Sequence, residues 1–443
     1  MLQQKFFITT LGCKVNQYES QALSEGWQKL GWVEVYDIRD AGIIVINSCA
    51  VTASAVADVR TTARRLNREN PGAKLWIMGC SAQTQAEQMQ KLPGVSAIIP
   101  TSLKDDFLAL PEKWLANPPP PAELPAPVGK RDYPAFQIST YQRARPVLKV
   151  QDGCSHRCTY CIVPLARGTS VSRAPGEVLA EARRLLEAGF QEIILSGINL
   201  SQFRTNAQFP GGVGAGFWDL LEMLTNELAE WEGKARFRVS SLEPGQLGER
   251  ALDIFAKSRL ICPQLHISLQ SGSPAVLKRM GRGHYNPHSL LEFCDELSKI
   301  WPVFGLGADI LTGFPAETRA EFEETVTLVT ALPFTYAHVF PFSARPGTPA
   351  ASMPEQVEKK IAAERSAILR ELVREKKDNF LNKLAEQKAP LAMLLESPET
   401  GLGVSEYYAE CKLETIPQSA TGRCLIPVRV CGREQDRLLV SRA

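Results

Sequence analysis

Three cysteines within the run Cys154-Ser-His-Arg-Cys158-Thr-Tyr-Cys161 constrain this chain more than any other feature. Three thiolates on one tight loop suit three irons of a cubane iron–sulfur cluster and leave the fourth iron open. An open iron accepts a ligand through an amino and a carboxylate group, which S-adenosylmethionine offers. A reduced cluster then passes an electron into the sulfonium and cleaves it. The alternative is a structural zinc site with His156 as fourth ligand. His156 lies too near the middle of the loop to close so short a chelate.

The chain has eleven cysteines, an odd number. That argues against a disulfide framework and for metal or catalytic use in a reducing compartment. Leu11-Gly12-Cys13 imitates a lipoprotein cleavage site, but Leu2 to Thr10 is too short and polar for a signal segment. The expected location is the cytoplasm. Cys13, Cys49 and Cys80 each follow a strand-like run. In a parallel sheet, loops at the carboxyl edge converge on one crevice, so these three are expected to meet in space. Buried core cysteines would lie more often within strands. Cys262, Cys294, Cys411, Cys424 and Cys431 show no ligand spacing and read as core or incidental.

Composition excludes several classes. Of the 443 residues, 44% are hydrophobic and 22% charged, which removes disorder driven by charge. Fifty Lys and Arg against 48 Asp and Glu leave +2, so any nucleic-acid surface must be local. No run approaches the roughly 18 apolar residues of a membrane span, so no membrane partner is expected.

Four expected domains follow. Residues 1–110 alternate strand runs (Lys5–Leu11, Ile43–Asn47, Lys74–Met78, Val95–Ile99) with helical patterns (Gln17–Leu30, Ala53–Glu69, Gln83–Lys91). This predicts a parallel α/β domain. Residues 111–146 form a Pro-rich linker around Pro118–Pro121, with Lys130 and Arg131 near its end. Residues 147–388 carry six βα units, which suggests a partial (β/α) barrel. A Gly-rich loop at Gly211–Gly216 reads as a lid, and a long helix over Pro354–Lys388 follows. Residues 389–443 read as short β runs, enough for a small barrel. The fold class is therefore α/β with a C-terminal β-barrel.

Taken together, Thr10-Leu-Gly-Cys-Lys-Val-Asn16, the three dispersed cysteines and the Cys154–Cys161 loop resemble the radical S-adenosylmethionine methylthiotransferases. Further blocks agree: Ile162-Val-Pro-Leu-Ala-Arg-Gly168, Leu265-His-Ile-Ser-Leu-Gln-Ser-Gly-Ser273, Asp309-Ile-Leu-Thr-Gly-Phe-Pro315 and His338-Val-Phe-Pro-Phe-Ser343. The resemblance implies two [4Fe–4S] clusters, S-adenosylmethionine, a C-terminal RNA-binding barrel of the TRAM kind, a tRNA substrate and a low-potential electron donor of flavodoxin or ferredoxin type. Cys154, Cys158 and Cys161 would bind the radical cluster. Cys13, Cys49 and Cys80 would bind an auxiliary cluster that carries sulfur. Tyr160, Ser196, Gly197, Ser240, Gln270 and Asp309 would contact S-adenosylmethionine, the last three from strand ends. One S-adenosylmethionine would supply the methyl group, and a second the radical that removes the hydrogen at adenine C2. Lys14-Val15-Asn16 resembles the branch acting on N6-threonylcarbamoyladenosine 37. The alternatives are isopentenyladenosine 37 and a non-catalytic iron–sulfur RNA-binding protein.

Two departures from the family stand out. After Arg167-Gly168, Thr169-Ser-Val-Ser172 leaves only Arg173 where two arginines are usual. Residues 381–443 balance eight Lys and Arg with eight Asp and Glu, a poor charge for holding phosphates. Elsewhere Arg60, Arg64 and Arg68 recur every fourth residue on one helix. With Arg143, Arg145 and Lys149 they are candidate phosphate contacts. His266 reads as a satisfied strand residue.

Overall fold

The computed structural model describes residues 4–109, 111–116, 133–134, 136–205, 216–416 and 422–443. Pro118–Pro121, Lys130, Arg131 and all of the Gly-rich loop but Gly216 lie outside them. Two structural units divide the chain. One comprises residues 1–139, 149–173 and 343–352, the other residues 140–148, 174–342 and 353–443.

The first unit holds a parallel sheet of five strands: β1 (Lys5–Thr10), β2 (Val33–Glu34), β3 (Ile43–Ser48), β4 (Lys74–Gly79) and β5 (Val95–Ile99), in the order β2-β1-β3-β4-β5. β3 is buried along its whole length, as the centre of a parallel sheet covered on both faces must be. Its alternation divides two cores. Ile44 and Ile46 pack with Val56, Val59 and Leu66 of the Ala53–Glu69 helix. Ile43 and Val45 pack with Phe6, Trp27, Trp76 and Phe107 on the other face. Deleting one of those rings would cost about 3–5 kcal/mol. Thr52 caps the Ala53–Glu69 helix by accepting from Ala55 N–H at 3.0 Å. Asn70 ends it by donating to the carbonyls of Ile38 and Ala41.

The second unit holds six strands in sequence order. Val147–Lys149, Glu192–Ser196 and Arg236–Val239 form one sheet, and Gln264–Gln270, Gly305–Thr312 and Tyr336–Pro341 another. The bridges Phe237–Ile261 and Leu242–Ile267 join them into an open barrel. Helices connect consecutive strands, and the 27-residue helix Lys359–Ala385 leads to a closed five-strand barrel over Leu391–Arg442. The α/β class with a C-terminal β-barrel is thus present.

Most strand bounds differ from the sequence expectations by one residue, and the first helix begins at Lys14 rather than Gln17; three differences are larger or of another kind. The helix expected over Gln83–Lys91 is two short helices, Cys80–Thr84 and Ala86–Gln90, broken at Gln85. The long helix begins at Lys359 rather than Pro354. The short edge strand Val33–Glu34 had no sequence signal, because two residues carry no periodicity.

Candidate functional site

In the first unit, β1, β3 and β4 are adjacent and parallel, so their carboxyl ends share one edge. Cys13 sits at the N-cap of the Lys14–Lys29 helix. Cys49 directly follows β3, and Cys80 opens its own short helix. All three thiols are free. Burial pushes the Cys49 thiol up to about 11, and the Cys80 and Cys13 sulfurs push in the same direction, so the three lie within electrostatic reach of one another.

Glycine permits this convergence. Gly12 has φ +123°, and a Cβ there would lie 2.8 Å from Cys49 Cβ. Gly79 has φ +96°, and a Cβ there would lie 2.6 Å from Ser48 O. Asn16 fastens the turn after β1 to the end of β3, donating to Leu11 O at 3.2 Å and Ser48 O at 3.0 Å.

Beside the thiols lies a buried charge network. Glu19 receives Lys104, Lys149 at 3.0 Å and Arg167 at 2.9 Å. Asp152 receives Lys149 at 2.9 Å and Arg167 at 2.9 Å. Burial alone would raise the Glu19 carboxyl, but the three cations override it and hold it well below the usual range. Three cationic side chains thus meet two carboxylates, and Arg167 also lies within electrostatic reach of the Cys80 and Cys13 sulfurs. Three thiols with an excess cation beside them fit an anionic thiolate-bound iron–sulfur group.

The Cys154–Cys161 loop belongs to the same unit. Gly153, at φ +68°, turns the chain so that Cys154 N–H donates to Gly168 O at 3.0 Å. Cys161 N–H donates to Cys158 O at 3.0 Å, and Thr159 O accepts from Ala350 N–H at 2.8 Å. Cys154 and Cys158 are buried and Cys161 is half-buried. Three thiols on so short a loop match the donor set of a cluster with one open iron.

In the second unit, Ser196 ends its strand, and Gly197 and Ser240 stand one residue beyond strand ends. Gln270 ends the Gln264–Gln270 strand with φ +61°. Asp309 corrects the expectation: it lies within Gly305–Thr312, not at its end, because the strand runs on through Ile310, Leu311 and Thr312. Tyr160 lies in the cysteine loop of the first unit.

The basic residues divide. Arg64 and Arg68 are exposed and Arg60 half-buried on the Ala53–Glu69 helix; Arg143 is exposed. Lys149 is not a phosphate contact: it is fully buried and committed to Glu19 and Asp152. Arg145 is likewise withdrawn, pairing with Glu396 at 2.8 Å and lying 3.7 Å from Glu192. Sequence reasoning missed Glu19, Lys104 and the part played by Arg167. A charged residue on the apolar face of the Lys14–Lys29 pattern was the available signal for Glu19.

Residues 5–100 match the family described as Uncharacterized protein family UPF0004, and residues 148–329 match the Radical SAM superfamily. The Threonylcarbamoyladenosine tRNA methylthiotransferase MtaB of Bacillus subtilis is 34% identical, covering 85% of this chain and 83% of the relative. The protein of the same description from Thermotoga maritima is 33% identical over 91% of this chain and 90% of its own. The tRNA-2-methylthio-N(6)-dimethylallyladenosine synthase of Agrobacterium fabrum is 31% identical over 89% and 87%. Among solved structures, the radical S-adenosylmethionine methyltransferase TsrM from Kitasatospora setae superposes with a TM-score of 0.58. It shares 14% identity and covers 79% of this chain and 77% of its own, a likeness of fold alone.

Proposed function

We propose that this chain, which belongs to the radical S-adenosylmethionine methylthiotransferase family, adds a methylthio group to C2 of N6-threonylcarbamoyladenosine at position 37 of tRNA. The observation that carries the reaction class is the set of free cysteines at the ends of three adjacent parallel strands, in one unit with the Cys154–Cys161 loop. Cys13, Cys49 and Cys80 hold one [4Fe–4S] cluster, and Cys154, Cys158 and Cys161 hold the other. Bound there, these groups and S-adenosylmethionine supply the electron, the hydrogen-abstracting radical and the sulfur-borne methyl group.

The chain's own residues position and insulate. Gly12 and Gly79 leave room beside the sulfurs, Asn16 fixes the turn after β1, and Arg167 brings positive charge toward the thiolates. Tyr160, Ser196, Gly197, Ser240 and Gln270 contact S-adenosylmethionine. Electrons come from a low-potential donor of flavodoxin or ferredoxin type, and tRNA is the macromolecular partner.

Lys14-Val15-Asn16 beside the first cluster cysteine favours threonylcarbamoyladenosine. Relatives carrying the dimethylallyladenosine description at 31% identity make isopentenyladenosine 37 the second reading. Mass spectrometry of tRNA nucleosides from a deletion strain decides between them. Loss of the methylthio form of threonylcarbamoyladenosine, with the isopentenyl form intact, supports the proposal; the reverse loss overturns the substrate and leaves the reaction class.

A further inference from the structure

The interior of the open barrel carries charge where a closed parallel barrel is filled by branched apolar side chains. Leu265, Ile267 and Leu269 of one strand are fully buried. Alternation sends Gln264 and His266 to the opposite, inward face. There Gln264 meets Arg238 at 3.1 Å and Tyr336 Oη at 2.8 Å. Arg236 and Arg238 grip Glu192 at 2.6 and 2.7 Å, and Arg145 stands beside them. These three guanidiniums face the carboxylates of Glu192 and Glu396, and the Glu406 carboxyl lies near them, accepting from Ala392 N–H at 2.9 Å. Three guanidiniums and three carboxyl groups thus make up the floor.

One layer further along the strands, three neighbours present polar side chains together. Asp309 pairs in register with His338. His266 Nε2 lies 3.2 Å from Asp309 Oδ1, and its Nδ1 lies 3.1 Å from Tyr336 Oη. The His266 and His338 rings are 5.4 Å apart. Asp309 is half-buried and His338 exposed, so the layer has faces open to a ligand. His338 and Tyr336 also line a cavity of about 480 Å³ together with Arg145 and Tyr408.

We propose that Asp309, held in place by His266, and His338 bind the N6 substituent of the target adenosine and select a threonylcarbamoyl group over an isopentenyl group; His266, with both ring nitrogens engaged, is the satisfied strand residue its sequence suggested. This rests on the tRNA-adenosine function above, and it assigns Asp309 to the substrate rather than to S-adenosylmethionine. A ureido N–H or threonyl hydroxyl donates to the Asp309 carboxylate. The ureido carbonyl or the threonyl carboxylate accepts from the His338 imidazole N–H. An isopentenyl group would strip water from the same polar atoms and return no hydrogen bond, which is the strongest basis of rejection available to a binding site.

The test uses two anticodon stem–loops that differ only in the substituent on A37. Methylthio product is measured anaerobically with reconstituted wild type, H338L, H338Q and D309N, and iron content reports folding. The wild type is expected to prefer the threonylcarbamoyl loop. H338L and D309N are expected to lose about tenfold to a hundredfold in kcat/KM on it. H338Q, which keeps a donor and an acceptor, should recover part of the loss. An unchanged preference in well-loaded H338L and D309N overturns this inference and leaves the function standing. Wild-type action on the isopentenyl loop alone overturns both. The three donor atoms also lie within 4.8 Å of one another. One tightly held zinc equivalent, lost in H338L, would make the layer a metal site and overturn the inference.

Discussion

Arg167 donates to Asn16 Oδ1 at 2.7 Å across 151 positions of sequence. Asn16 in turn sits within 3.5 Å of the Cys13 sulfur. The Val163–Arg167 helix that follows the Cys154–Cys161 loop is thereby bonded to the turn that carries Cys13, and one guanidinium links the two cysteine sets.

Replacing Arg167 by Gln should therefore do more than remove a surface charge. Glu19 and Asp152 would stay buried with one cation fewer. Breaking a buried pair from one side costs about 3–5 kcal/mol. Urea unfolding should show a loss of that order, and iron bound after anaerobic reconstitution should fall. A loss below about 1 kcal/mol with full iron content would show that Arg167 organises neither set.

The two cysteine sets should load separately. Eight irons per chain are expected from two cubanes, about half lost in Cys158→Ala and the other half in Cys49→Ala. Iron and acid-labile sulfide analysis checks this. Zinc in stoichiometric amount with no iron uptake would rule out the cluster assignment.

Gly79→Ala should disturb the strand-end cysteines specifically. At φ +96° the new Cβ would lie 2.6 Å from Ser48 O and 2.7 Å from Asn47 Oδ1, next to Cys49 and Cys80. Gly189→Ala is the control, because Gly189 has φ +90° with nothing within 4 Å. The control should cost only about 1–2 kcal/mol of backbone strain. Gly79→Ala should cost more and lower iron content by about half; equal effects in the two variants would mean that the crowding is relieved without moving the cysteines.

Acid should destabilise the chain through Glu19 and Glu192. Burial opposes ionisation of Glu192, but Arg238, Arg236 and Arg145 hold its carboxyl well below the usual range; Glu19 is held low by its own cations. A depressed folded value means stability that is fully present above the unfolded value of about 4.3 and is lost as pH falls below it. Glu192→Gln should therefore unfold more easily at pH 7 yet lose less stability on going to acid. Parallel curves for the variant and the wild type would show that Glu192 does not carry the acid response.

The strands were legible because their signals are local. Ile43–Ile46 reads as a buried run and is one, and Cys13, Cys49 and Cys80 follow strands from their spacing alone. The buried charges were not legible, because their partners are far apart. Glu19 finds Lys104 at 85 positions and Lys149 at 130. A lysine near two arginines reads as a phosphate contact until its carboxylate partners are visible, and Lys149 misled for that reason. Asp309 misled because the expectation placed it at a strand end, whereas its strand continues three residues beyond it. The layer it forms with His266 and His338 comes from three strands, and no single window holds it.

The first unit is made from three separate stretches of chain, and the last, residues 343–352, includes the Ala350 amide that bonds Thr159 O. During translation the ribosome delivers residue 173 and then continues through the whole interval to residue 343 before that stretch emerges. At about 5–20 residues per second this interval lasts roughly 10–30 s. Throughout it the Cys154–Cys161 loop lacks the Ala350 amide that bonds Thr159 O in the finished fold. Oxygen reaching the chain in that window meets the loop's sulfurs before its last stretch is in place, so the first unit is completed only after most of the second has been made.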